Sequence, residues 1–207
     1  MIKKIILLIL LLFFSCFNSN KSNKRSNSDF LAYYNTYYMA EKDFNEALEI
    51  IKLDQSETDQ IPIQAKNLLN SAIENALIIE NKFYNSQYLD DAYYILAMSS
   101  YMKNKITTSE HYFNRIHNEY PESDYFIESL IMLGNLHLKM NRIDSLDSIL
   151  EKLENEKKIN NHQMYLYYLL LADYSKYNGN NDDIIKNYLL ALDNIFNKAD
   201  QILVYNK

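Results

Sequence analysis

Asp90 to Ser123, DDAYYILAMSSYMKNKITTSEHYFNRIHNEYPES, is the stretch that leaves this chain the fewest options. At helical spacing it gives two short amphipathic segments on either side of the polar turn Lys103-Asn104-Lys105. Ala92, Tyr93, Leu96, Ala97, Ser100 and Tyr101 fall on one face of the first segment. Ser109, Tyr112, Phe113 and Ile116 do the same in the second, and Pro121 ends it shortly after Glu119. Small residues at Ala97 and Ser109 let the two backbones approach, and the aromatic rings fill the space beside them. Such a pair buries only one face on its own, so it must stack on neighbours of the same kind.

Those neighbours are present. With Asp90 as position 1 of a unit of about 34 residues, Tyr93, Leu96, Ala97, Ser109, Phe113, Ile116 and Pro121 fall at 4, 7, 8, 20, 24, 27 and 32. Counted from Ile127, Leu130 falls at 4, Leu133-Gly134 at 7 and 8, His137 at 11, Ile143 at 17, Leu146 at 20 and Leu150 at 24. Counted from Tyr165, Tyr168 falls at 4, Leu171-Ala172 at 7 and 8, Gly179 at the turn, Tyr188 at 24 and Ala191 at 27. Upstream, a long helix is predicted from Asp29 to about Leu53, in which Ala40, Phe44 and Ala47 repeat the small, aromatic, small spacing of a unit's second helix. A polar loop from Asp54 to Gln60 and Pro62 then open a helix that runs to about Phe83.

These positions are the ones where a tetratricopeptide repeat wants a large aromatic, Leu, two small residues, an aromatic, a small or aliphatic residue and Pro. The chain resembles that family over most of its length. The resemblance implies an all-α solenoid of antiparallel helix hairpins across 29–207, made of a degenerate hairpin at 29–83 and repeats at about 90–123, 127–160 and 165–198. It also implies a concave groove, lined by the first helix of each hairpin, that takes an extended peptide or a partner helix. By repeat position the groove candidates are Tyr94, Met98, Tyr101 and Met102, then Asn135, Leu138 and Lys139, then Asp173, Lys176 and Tyr177. Aromatic and Met side chains give sequence-tolerant apolar contact, and Asn, Lys and Asp can hydrogen-bond a main chain. Each Tyr in this set either lines the groove or packs the core between repeats.

Composition supports the helical reading and narrows the partners. Of 207 residues 48% are apolar, enough for a core, while two Gly, two Pro and no Trp are too few turn formers for an all-β chain. The nineteen Tyr suit aromatic packing between helices. Residues 1–28 hold five basic residues (Lys3, Lys4, Lys21, Lys24, Arg25) and no acidic one; 21 less five leaves 16 basic against 27 acidic, a body of formal charge −11. An acidic body without a basic stripe disfavours nucleic acid, whose binding is driven by phosphate neutralisation.

The amino terminus reads as an address. MIKKIILLILLLFFSC has a basic start at Lys3 and Lys4 and an apolar run from Ile5 to Phe14. That run is too short for a bilayer-spanning helix, which needs roughly 20 residues, and has the size of a signal-peptide core. The chain's one cysteine, Cys16, follows at once, with the small Ser15 before it. This arrangement resembles the lipobox of bacterial lipoproteins and implies a signal peptide over 1–16 ending at a lipidated Cys16. An uncleaved anchor, or an ordinary secretory signal with an incidental thiol, is the competing reading. Residues 17–28, FNSNKSNKRSNS, have almost nothing to bury and are expected to be a flexible tether.

Motifs for chemistry are missing: there is no Gly-rich phosphate loop, no nucleophile elbow, no CxxC and no HExxH. His111 and His117 are off the one-face spacing of helical metal ligands, and His137 and His162 are isolated in sequence. The pairs Asp90-Asp91 and Asp182-Asp183 sit at expected helix starts and read as caps that complement the helix dipole. No enzyme activity, metal, cofactor or small-molecule substrate is expected. YLDDAYYILAMSSYMKN followed by FNRIHNEYPESDYF is similar to the BamD-like lipoproteins of the outer-membrane β-barrel assembly machinery. That likeness implies a lipid-anchored scaffold at the outer membrane that binds protein partners. A periplasmic scaffold for cell-division or cell-wall machinery and a nutrient-binding outer-membrane lipoprotein are the alternatives.

Overall fold

The computed structural model describes residue 30 and residues 36–54 and 60–194. The expected signal peptide, Cys16, the tether at 17–28 and the last residues of the third unit lie outside the described residues. Among those described the fold is all-α: eight helices and no strand. They are α1 (Tyr38–Leu53), α2 (Ile63–Lys82), α3 (Leu89–Met102), α4 (Ile106–Glu119), α5 (Phe126–Lys139), α6 (Ile143–Glu154), α7 (Asn161–Tyr177) and α8 (Asn181–Asp193).

Three of the connections are the same turn made three times. After α3, α5 and α7 the chain passes through left-handed backbone at Asn104 (φ 56), Asn141 (φ 57) and Gly179 (φ 70). At each, the next residue's N–H returns to a carbonyl in the last helical turn: Lys105 to Ser100 at 2.8 Å, Arg142 to His137 at 2.8 Å and Asn180 to Ser175 at 3.0 Å. The left-handed residue itself bonds back to Tyr101 (2.9 Å), Leu138 (3.0 Å) and Lys176 (3.2 Å). This doubly bonded helix end satisfies carbonyls that would otherwise be orphaned, and it requires a residue that tolerates positive φ, hence Gly or Asn. The three turns stand at the same position of the units counted from Asp90, Ile127 and Tyr165. The spacing of these turns is 37 residues from Asn104 to Asn141 and 38 from Asn141 to Gly179.

Helix starts are handled less uniformly. α7 opens on a capping box in which the Asn160 side chain accepts from the Gln163 N–H while Gln163 accepts from the Asn160 N–H. α8 opens on Asn180, whose side chain accepts from the Asp183 N–H. The expectation that Asp90-Asp91 and Asp182-Asp183 are caps is corrected here. They lie inside the first turns of α3 and α8, where carboxylates meet the positive end of the helix dipole, and other residues hold the cap positions.

Packing follows the pairs. α1 rests on α2, α3 on α4, α5 on α6 and α7 on α8, while α2 meets α3 and α4 meets α5. α1 also touches α3 as α5 touches α7, so α1 occupies a first-helix place. Ala40, Phe44 and Ala47, its small, aromatic, small set, are buried. Repeat positions fill the core: Tyr93, Leu96, Ala97, Phe113 and Ile116 are each at most 1% exposed. Ser109, also wholly buried, has a hydroxyl without a hydrogen-bond partner, so size explains its presence better than polarity does. Gly134 answers a still tighter approach. A Cβ there would lie 2.7 Å from Leu170 Cδ2, so α5 and α7 meet where only glycine fits without movement. Outside the core, Arg115 of α4 braces three elements: it bonds Glu80 of α2 at 2.8 Å, Glu119 at 2.8 and 2.9 Å, and sits 4.2 Å over the Tyr93 ring.

Candidate functional site

The face shared by α1, α3, α5 and α7 collects the residues that the repeat register proposed. Tyr101 of α3 has the Lys139 ammonium 5.9 Å from its ring centroid, and burial together with the nearby Asp173 carboxylate raises its phenol above the ordinary range. Side chains of α3 and α5 therefore meet here, with the charge of Asp173 on α7 near enough to be felt by the phenol. Met98, Met102 and Leu138 are half-buried, each with one flank against the core. They serve packing and surface together, the division that the sequence left open for each Tyr.

The polar members differ from a simple row of groove contacts. Asn135 uses its amide to bond the Ile131 carbonyl at 3.3 Å, within its own helix. Asp173 accepts from the Tyr188 hydroxyl of α8 at 3.3 Å. Lys139 donates to the Asn104 side chain at 2.7 Å, and Tyr177 donates to the Asn141 side chain. The left-handed Asn of one turn is thus held by the last helical turn of the next first helix. Lys139 and Tyr177 spend a hydrogen bond on aligning consecutive turns. Lys176 is exposed beside them.

The other end of this face was not expected to carry function. Tyr37 stacks on Tyr88 at 4.5 Å, and Tyr94 stacks on Tyr125 at 4.0 Å with Phe44 edge-on at 6.2 Å. Each stack feeds a carboxylate on the next first helix. Tyr37 donates to Glu41 (3.1 Å) and to Asp91 (3.4 Å), and Tyr94 donates to Glu128. Burial, then the neighbouring Asp90, pushes Asp91 up from 3.8 to about 6, against the pull of the Tyr37 hydrogen bond. Burial likewise raises Glu128, partly offset by its bond from Tyr94. No cation forms an ion pair with Glu41, Asp91 or Glu128 among the described residues. The result is an aromatic wall with acceptor groups that desolvation keeps eager for a proton, an N–H or a positive charge. A signal was present in the sequence: Tyr88 and Asp91 recur in register as Tyr125 and Glu128.

On a different face of α5, Asn114, His117, His137, Asp144, Ser148 and Lys152 line a cleft of about 360 Å³ between α4 and α6. Nδ1 of His117 and of His137 is buried and unpartnered, and burial lowers both imidazoles below their ordinary value. Lys152 depresses His117 further, while at His137 Glu110 pulls upward and Arg142 downward. These two histidines, isolated in sequence, come to one cleft because α4 and α5 pack together. Among the described residues no group of three or more His, Cys, Asp or Glu could hold a metal ion. No helix there is long and apolar enough to cross a membrane. Compared with protein-family models, with curated proteins and with solved structures, the chain has no match.

Proposed function

We propose that this chain is a non-enzymatic, lipid-anchored tetratricopeptide-type scaffold that holds an extended segment of a partner protein across the α1–α3–α5–α7 face. The observation that carries the reading is the series of contacts from one helix of this face to the next: Lys139 over the Tyr101 ring, Tyr94 on Glu128 and Tyr37 on Asp91. Half-buried rings and methionines give such a segment apolar contact. Glu41, Asp91 and Glu128 at one end, none of them in an ion pair among the described residues, and the exposed Lys176 at the other give its main chain and side chains polar partners and a direction. The Cys16 reading supplies the anchor, and the BamD-like resemblance supplies the setting, assembly of β-barrel proteins at the outer membrane.

A photo-crosslinking amino acid at Met98, at Lys176 or, as a control from the opposite side, at Ser148 tests this in the native membrane. The expected result is one shared set of partners from Met98 and Lys176, including a β-barrel insertase, and none of it from Ser148. Cell-wall synthesis proteins in its place would move the scaffold to the periplasmic alternative. Equal capture from all three positions would remove the assigned face. Loss of membrane association in Cys16→Ala, with the fold intact, is the outcome expected of the anchor.

A further inference from the structure

Lys66, Lys103, Lys105 and Lys139 gather where α2 begins and where α3 and α5 end in their left-handed turns. Two hydrogen bonds tie this edge together. Lys103 donates to the Asn70 side chain, and Lys139 donates to Asn104 at 2.7 Å, between Lys103 and Lys105 in the chain. Both acceptors are neutral amides. None of the four lysines forms an ion pair among the described residues, whose ion pairs engage Arg115 and Arg142. The crowding is felt at Lys103: burial, then Lys105 and Lys66, hold its ammonium below the ordinary value. The patch is bounded. Glu110 is taken up by Arg142 at 2.6 Å, and the first turns of α6 and α8 bring Asp144, Asp182 and Asp183 to the continuation of the edge. In a chain of net charge −6, four uncompensated ammonium groups at one edge call for an occupant.

We propose that the turn edge from Lys66 to Lys139 docks on an anionic lipid surface. The start of α2 and the ends of α3 and α5 come together at this edge, so one anionic surface can reach all four lysines. A long soluble polyanion reaching the same lysines would run on over the acidic body and be repelled. Lys21, Lys24 and Arg25 add the same chemistry between the apolar amino terminus and the folded part. Near an anionic leaflet each such cation contributes about 1 kcal/mol, roughly 5-fold in affinity. The inference rests on the anchoring reading for the nearness of a membrane, and it adds which side of the molecule faces that membrane. The acidic aromatic end of the binding face is then turned away from the lipid and toward a partner.

The test uses the full chain with vesicles of phosphatidylcholine alone and of phosphatidylcholine mixed with phosphatidylglycerol. Floated protein is acetylated and its lysines are read by mass spectrometry. Labelling of Lys66, Lys103, Lys105 and Lys139 is expected to fall several-fold on the anionic vesicles relative to the neutral ones and to recover at high salt. The exposed Lys82 and Lys157 should not change. Equal labelling of the four on both vesicles overturns the proposal, as does suppression by polyglutamate or duplex DNA with none by anionic vesicles. Flotation on anionic vesicles alone would remove the apolar anchor but leave this edge standing, provided that Lys103→Gln with Lys105→Gln and Lys139→Gln abolishes it. Flotation on neither removes both.

Discussion

The pair α5–α6 and the pair α7–α8 are built to the same register and end their first helices in the same turn, yet they are held by different means. α5 buries eight residues, from Ile127 to Leu136, and α6 adds Leu146, Ile149, Leu150 and Leu153. α8 buries Ala191 alone, and with Tyr165 it forms a small cluster apart from the main core. Its apolar residues Ile185 and Leu189 are 63% and 57% exposed. A repeat pattern specifies a hairpin, therefore, but the amount that the hairpin buries is decided by what lies on its far side. The last pair is tied back through α5 on α7, through Leu170 over Gly134, and through hydrogen bonds from Tyr174 to Asp147 (2.8 Å) and from Tyr177 to Asn141.

The largest effect should come from the central pairs. Phe113→Ala empties a wholly buried ring site between helices of the main core. About 3–5 kcal/mol of stability should be lost in urea unfolding, the range for truncating a buried aromatic. A loss under 1 kcal/mol would mean that the centre packs no better than the end. Gly134→Ala comes next, at about 1–3 kcal/mol, because the added methyl meets Leu170 Cδ2 inside a closed contact. Its signature should be local. Hydrogen exchange ought to quicken in α7 and α8 before α3 and α4, since the clash falls on the tie between them. Uniform quickening would make the molecule one cooperative unit and erase the distinction between pairs.

Much of the helical layout was legible in the sequence, and the part that was not has physical causes. Gly179 and the Lys103-Asn104-Lys105 turn were readable because Gly and Asn beside charged residues signal a helix end. Asn141 was passed over because a left-handed Asn looks like any other polar residue until its φ is known. The groove set came from position alone, and of its members Tyr101 and Lys139 lie in contact with each other. It could not tell that Lys139 and Tyr177 would be committed to neighbouring turns. Asp91 and Glu128 were missed as a site because a carboxylate in a first turn has a sufficient local reason to be there. Only the stacking of α1, α3 and α5 puts tyrosines over them. His117 and His137 belong to different helices, and no spacing within one helix brings them together.

Asp91 sharpens the comparison through pH. Its carboxyl lies at about 6 in the fold against an ordinary 3.8, a raised value, so the folded state holds the proton more firmly than the unfolded chain does. The ionised carboxylate therefore costs stability above pH 6, and that cost fades as pH falls from 6 toward 4. Asp91→Asn should stabilise the protein by about 1 kcal/mol at pH 8, after allowance for partial solvent screening. The gain should vanish near pH 4. The first-turn Asp182 of α8 is exposed, and Asp182→Asn should instead cost a few tenths of a kcal/mol through the helix dipole. Urea midpoints at the two pH values for both variants give the answer. Opposite signs at pH 8 support the contrast between the half-buried Asp91 and the exposed Asp182; a destabilised Asp91→Asn at pH 8 breaks it.

The smallest effect is expected on the outer side of α8, and it is the one that most directly tests what lies against that helix. Ile185→Ser and Leu189→Ser remove apolar surface that is already more than half in water. The folded and unfolded states lose nearly the same hydrophobic contribution, so each change should lie within about 0.5 kcal/mol in urea unfolding at low protein concentration. The corresponding change in the preceding pair, Leu150→Ser, acts on a residue 8% exposed and should cost several times more. If Ile185→Ser and Leu189→Ser each cost above 1 kcal/mol, the outer face of α8 is covered in solution. Concentration then says by what. A penalty that grows with protein concentration means a second copy stacked on α8, because only association makes stability depend on protomer concentration. A penalty constant with concentration means cover from within the chain. In either case the two pairs would be equals in burial, and the repeat register alone would suffice to say what each one holds.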